Sequence, residues 1–179
     1  TKWHRAHTTW FFAEFVLRAD GTSGRVWDRP EYRFLYNSYY EAVGARHPRP
    51  QRGLVTRPSV GEVADYRNHV DKEMLELMAG GLDTAIAEVV ELGTHHEEQH
   101  QELLLMDIKH VLSMNPAVGP AYADRPHAPA VDPGPSNWVD FAGGLADIGV
   151  DHEADGFSFD SEGPSHQVLL YPYALADRL

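Results

Sequence analysis

THHEEQHQELLLMDIKHVL, Thr94 to Leu112, carries His96 and His100 four residues apart in a stretch whose apolar residues recur at helical spacing. Residues four apart share one face of a helix, about 6 Å from each other, so both imidazoles can reach a single metal ion. Gln99 borders the same pocket. Glu102 points largely away and suits an outer salt bridge. Asp107 returns to the face two turns later, roughly 10 Å along the axis, too far to share the ion. A solvated Glu/Gln/His face would show the same spacing without any metal. His96-Glu97-Glu98-Gln99-His100 also spells H-E-x-x-H, in which two histidines hold zinc and the glutamate is a peptidase base. The surroundings speak against that reading. The long form of the motif needs a glycine three residues after His100 and a histidine three further on, where Leu103 and Met106 stand. The other form needs a glutamate on a following helix, and a proline-rich stretch stands there instead.

A second histidine cluster opens the chain. In KWHRAHTTWFF, Trp3, Ala6, His7, Trp10 and Phe11, with Phe15 beyond, fall at helical spacing, which predicts a helix over roughly 1–18 with one apolar face. His7 lies between Trp3 and Trp10-Phe11-Phe12 on that face. An unpartnered imidazole is costly there, whereas a metal ligand is neutral and satisfied. His4, three residues earlier, competes for the role.

Composition bounds the classes. The hydrophobic content of 42% is that of a globular chain, and no apolar run approaches the roughly 20 residues of a membrane span. A net charge of −12 makes a nucleic-acid backbone an unsuitable partner. With no cysteine there is neither a disulfide framework nor a zinc–thiolate site, which is compatible with a cytoplasmic location. The chain starts at Thr1 directly in a helical pattern and stops at Leu179 without a polar tail, so it is expected to be a piece of a longer protein.

Along the chain, residues 19–24 form a turn-rich stop, and Tyr32 to Ala45 is dense enough in aromatics for a short helix. His47 to Gly53, with two prolines and a glycine, is expected to be irregular. Ser59 and Glu62 form a capping-box pattern ahead of a helix running to about Met78, with Val63, Tyr66, Val70, Met74 and Leu77 inward. Gly93 divides the next helical stretch into a helix to about Leu92 and another, or a bent continuation, over 94–113. Three or four long helices with short connections predict an antiparallel bundle over residues 1–114. Six prolines between Asn115 and Ser136 predict a linker. Over 137–179 the pattern turns to short strands, Trp138–Phe141, Ala146–Val150 and Gln167–Tyr171. Arg46, Arg49, Arg52 and Arg57 flank the irregular loop of an otherwise acidic chain. Arg52 or Arg57 is expected to face the pocket, where a guanidinium can bind a substrate carboxylate bidentately.

KWHRAHTTWFF, FLYNSYYEAVGARHPRPQRG, HHEEQHQELLLMDIKH and the tail with WVDFAGG and FSFDSEGPSHQV occur in that order. Together they resemble the sulfoxide synthases of ergothioneine biosynthesis, the EgtB family. The resemblance implies a mainly α architecture: a DinB-like four-helix bundle followed by the start of an α+β, C-type-lectin-like domain similar to formylglycine-generating enzymes. It further implies non-haem iron(II) held by His7, His96 and His100, with Gln99 helping to hold the imidazole substrate.

The implied activity is O2-dependent joining of a thiol, cysteine or γ-glutamylcysteine, to the imidazole of Nα-trimethylhistidine, with oxidation of sulfur to the sulfoxide. The family's catalytic tyrosine would lie beyond Leu179, and Tyr171 and Tyr173 are not candidates for it. On this reading the tail covers the open side of the ion, the partners are small molecules, and a homo-oligomer is left open. Selenoneine synthases, ovothiol synthases and DinB-like metal-dependent thiol transferases are the neighbouring possibilities. A purely structural bundle is the non-enzymatic one.

Overall fold

The computed structural model describes residues 1–19, 21, 27, 29–117, 119, 132–151 and 156–178. The chain is mainly helical and divides into two compact units, Thr1–Ala121 and Tyr122–Leu179. Most of the proline-rich stretch (118 and 120–131) and of the stop after the first helix (20 and 22–24) lies outside the described residues.

The first unit is built around α1, Lys2–Phe12, which packs against the three other α-helices described in the unit. Its burial is nearly all round, from His4 and Ala6 through His7, Thr8, Thr9 and Trp10 to Phe11, as befits a helix at the centre of a core. Beyond Phe12 it continues as a π-helical turn, Ala13–Leu17, closed by Arg18 N–H donating to the Ala13 carbonyl at 3.1 Å. The helix therefore ends close to the expected residue, with a change of winding that the spacing does not reveal. The turn buries Glu14, whose carboxylate accepts hydrogen bonds from Arg18 at 3.0 and 3.1 Å and from Arg33 at 3.0 Å. A buried charge persists when paired in this way.

The second helix, α2, spans Pro30–Tyr36, with proline at its start where no N–H is needed. It starts earlier and ends sooner than the aromatic density predicts. Asn37, fully buried, turns to extended backbone and ties the loop together. Its amide donates to the carbonyls of Tyr40 (2.9 Å) and Gly44 (3.1 Å), and its side-chain oxygen accepts from Tyr40 N–H at 3.0 Å. Such an asparagine competes successfully with helix continuation. The stretch expected to be irregular instead forms a 3-10 helix, Arg49–Leu54. Its prolines precede the first turn or sit within it, where they sacrifice no hydrogen bond.

Helix α3, Val60–Ala79, starts with both arms of the capping box made, Glu62 N–H to Ser59 Oγ at 3.2 Å and Ser59 N–H to a Glu62 carboxylate oxygen at 2.8 Å. Val63, Tyr66, Val70, Met74 and Leu77 are its buried residues. Helix α4 runs unbroken from Thr84 to Ser113, capped by Asp83. The interruption expected at Gly93 is therefore absent from this helix. Gly93 is the one buried residue of α4, and a Cβ there would fall 2.5 Å from Cε1 of Phe12 and 2.9 Å from Cε1 of Phe11. The glycine lets α4 approach α1; it does not end the helix.

The described residues of the second unit hold four short strands, β1 Trp138–Phe141, β2 Gly144–Ile148, β3 His166–Leu170 and β4 Tyr173–Ala176. β1 pairs antiparallel with β4, and β2 with β3. The second strand starts two residues earlier than predicted, and β4 adds a strand where the pattern predicts none. Gly143 makes the bend between β1 and β2 at φ +74°, where a Cβ would collide with the Leu170 carbonyl. No helix among the described residues is long and apolar enough to cross a membrane.

Candidate metal centre

Three imidazoles converge where α1 meets α4. His7, His96 and His100 each offer a ring nitrogen, all within 4.8 Å of one another, a group that could hold a metal ion. The ring centroids of His7 lie 4.9 Å from His96 and 4.6 Å from His100, and His96 and His100 are 4.6 Å apart.

His7 is 1% exposed and tightly fixed. Its Nδ1 lies 2.6 Å from the Tyr36 carbonyl, so it donates its proton there and leaves Nε2 bare. Its ring stacks between the indoles of Trp3, 4.7 Å away at 14°, and Trp10, 5.7 Å away at 16°. The tryptophans that make His7 a candidate are thus the walls of its slot. His96 packs on the Phe11 ring at 4.9 Å, and its buried Nδ1 has no hydrogen-bond partner among the described residues. His100 Nδ1 lies 2.9 Å from Nδ1 of His4.

Burial pushes the His7 imidazole down to about 2, against an opposing pull from the Tyr36 carbonyl. Burial likewise lowers His96 to about 4, and burial, with the nearby Arg52 guanidinium adding to it, lowers His100 to about 4. All three rings are therefore neutral in the metal-free fold at ordinary pH, the form a metal requires. Nitrogen donors on two helices, one tautomer set by a carbonyl and one buried nitrogen without a partner fit an imidazole-ligated ion.

The histidines line one wall of an open cavity of about 930 Å³ that lies wholly within the first unit. Gln99 lines it too, from an exposed position. Of Arg52 and Arg57, only Arg52 lines the cavity; Arg57 is exposed and does not. The Arg52 guanidinium lies 3.9 Å from the centre of the Trp3 ring and donates to Ser38 Oγ at 2.9 Å. Its buried Nε has no partner among the described residues. Burial, and then Arg49, hold the Arg52 guanidinium below the usual value. Trp3 itself is anchored by its indole N–H, which donates to the Leu35 carbonyl at 3.3 Å.

Glu97 takes no part in the cavity wall. Its carboxylate accepts from Arg67 at 2.9 and 3.0 Å, and Arg67 also pairs with Asp71 at 2.6 Å, which commits Glu97 to α3. Glu102 is exposed and forms no ion pair among the described residues. Tyr171 and Tyr173 are exposed residues of the second unit.

The sequence reading misses two features. Spacing sets His4 and His7 against each other as rivals, yet both are inward, His4 at 8% exposure. Asp107, too distant to share an ion, reaches the site through His4, whose Nε2 lies 2.8 Å from an Asp107 carboxylate oxygen. The signal is present as the i, i+3 pair His4 and His7 and the i, i+7 pair His100 and Asp107. No protein-family model matches the chain, and a search among curated proteins finds no match.

Proposed function

We propose that His7, His96 and His100 hold iron(II), and that the chain is the DinB-like portion, with the start of a lectin-like domain, of an O2-dependent sulfoxide synthase. The thiol is cysteine or γ-glutamylcysteine and the acceptor is the imidazole of Nα-trimethylhistidine. The observation that carries the reading is the convergence of three neutral imidazoles from two helices on one cavity. When bound, iron(II) supplies the activation of O2 for carbon–sulfur bond formation and for oxidation of sulfur. His7, His96 and His100 would supply three nitrogen donors, and coordination positions would remain for small-molecule substrates.

The chain's own residues prepare that site. Arg52, held between Trp3 and Ser38 on the cavity wall, binds the carboxylate of the thiol through the accessible end of its guanidinium. The carboxamide of Gln99 hydrogen-bonds the imidazole of the acceptor. The stack of Trp3, His7 and Trp10 shields one ligand from water and resists rotation of its ring. Glu97, paired to Arg67, supports the helix and does not act as a base.

The test is metal analysis of protein purified without oxygen, followed by O2 uptake with each thiol in the presence of Nα-trimethylhistidine. Iron loading at one ion per chain, and O2 uptake that needs both substrates in the complete protein, are expected. Loading by zinc or nickel with no O2 uptake would refute the oxidative reading.

A further inference from the structure

We infer that His4 and Asp107 form a relay that fixes the tautomer of His100 and so presents its Nε2 lone pair to a metal. The inference rests on the three histidines holding a metal, and not on the reaction proposed for them. A carboxylate is an acceptor only, so His4 Nε2, 2.8 Å from Asp107, carries a proton. A neutral His4 then has a bare Nδ1. That nitrogen faces His100 Nδ1 at 2.9 Å, and two bare nitrogens do not meet at such a distance. His100 therefore carries its proton on Nδ1, and Nε2 is left free.

Each step depends on the one before, from Asp107 to His4 to His100. Histidine ligands commonly donate their other N–H to a carboxylate or carbonyl, which fixes the tautomer and ring orientation. His7 does this directly with the Tyr36 carbonyl. His100 does it through one intervening imidazole. The relay is sheltered at the His4 end, while the Asp107 side chain is 58% exposed and keeps its charge hydrated. His96, with no partner on Nδ1, is the ligand whose tautomer the protein leaves open. His4 and Asp107 are thus positioning residues.

The experiment uses the full chain with Co(II) as the probe metal, its affinity measured by chelator competition. It also follows the tautomer of His100 by long-range 1H–15N NMR of the metal-free protein in mildly alkaline buffer. His4→Phe keeps a ring but removes the acceptor, and is expected to weaken Co(II) binding about 10- to 100-fold, the usual effect of losing such a partner. Asp107→Asn retains an acceptor oxygen and should stay close to wild type. Asp107→Lys places a donor against His4 Nε2, inverts the relay, and should shift His100 from the Nδ1–H to the Nε2–H form.

A lysine also repels a cation, but repulsion alone leaves the Nδ1–H tautomer in place; weaker binding without a tautomer change would overturn the relay. So would an Nε2–H signal for His100 in the wild-type protein. If wild type binds no Co(II), the metal reading falls, and the tautomer spectrum still decides the relay. Should His4→Phe fail to fold, Asp107→Lys at its exposed position decides between the two outcomes.

Discussion

Gly93→Ala probes the contact on which both the core and the candidate metal centre depend. The added Cβ would lie 2.5 and 2.8 Å from two ring carbons of Phe12 and 2.9 Å from one of Phe11. Carbon pairs pack best at about 3.5–4.0 Å, so the overlap is on the order of 1 Å. Phe12 is half-buried and its ring edge can swing; Phe11, at 1% exposure, moves only with its neighbours. In a helix interior alanine is favoured over glycine by about 0.8–1.0 kcal/mol. Overpacking a tight core costs about 1–3 kcal/mol. The difference is a net loss of about 1 kcal/mol, against the sign that helix propensity alone gives.

The assay is urea unfolding followed by far-ultraviolet circular dichroism, with Gly61→Ala as the control. A Cβ at Gly61 meets only Ser59 Oγ at 3.8 Å, so that variant is expected to be neutral or slightly stabilised. Because the Phe11 ring lies 4.9 Å from His96, its displacement should also weaken Co(II) binding severalfold. If Gly93→Ala gains as much stability as Gly61→Ala and binds Co(II) unchanged, the close-approach argument is wrong.

Three further outcomes are expected. His96→Ala should abolish iron loading, read by metal analysis, while circular dichroism shows the helices intact, because in the proposed site the ring is a ligand and not a filler of the core. Arg52→Ala should weaken binding of the anionic thiol about 10- to 100-fold, the loss of a charge-assisted hydrogen bond worth about 1.5–3 kcal/mol. Arg57→Ala should leave it unchanged, and titration calorimetry of the thiol separates the two. The third concerns pH. Folded His96 and His100 are held at about 4 and His7 at about 2, whereas in the unfolded chain they titrate near the ordinary 6.5. The unfolded state therefore binds more protons between about pH 4 and 6.5, and stability must fall as pH drops through that window. In the folded protein the ligands are already bare at about pH 6, so metal binding there should release almost no proton from them. Calorimetry in buffers of different ionisation heat measures this, and release of a full proton or more contradicts the burial argument.

Much of the helical framework is legible in the sequence because it depends on local spacing. The capping box of Ser59 and Glu62 and the inward stripe of α3 are readable at that range, and the structure forms both. The three histidines are legible for a related reason. Two sit four apart on one helix, and the third is a polar ring among tryptophans that burial must satisfy. The hidden features depend on contacts between elements. The Tyr36 carbonyl that orients His7 is a backbone atom at the end of a helix whose limit is set by Asn37, and no side-chain pattern announces it. The 3-10 winding of Arg49–Leu54, which carries Arg52 to Trp3, is masked by prolines that argue only against longer helices.

Gly93 shows how the two kinds of information join. As a residue type it reads as a breaker, because glycine weakens a helix interior. As a position it lies three residues before His96 and seven before His100, on the face of α4 that meets α1. Any side chain there would hold the two helices apart at Phe11 and Phe12. Phe11 lies four residues after His7 on α1, about one turn along the axis. The glycine on one helix and the phenylalanine on the other therefore meet one turn away from the histidines that face each other. The spacing of the helices at that contact sets the distance across which His7 must reach His96 and His100. A metal centre built across a helix–helix contact needs rigid ligands and also a short gap between the helices. The tryptophan slot meets the first need and Gly93 the second.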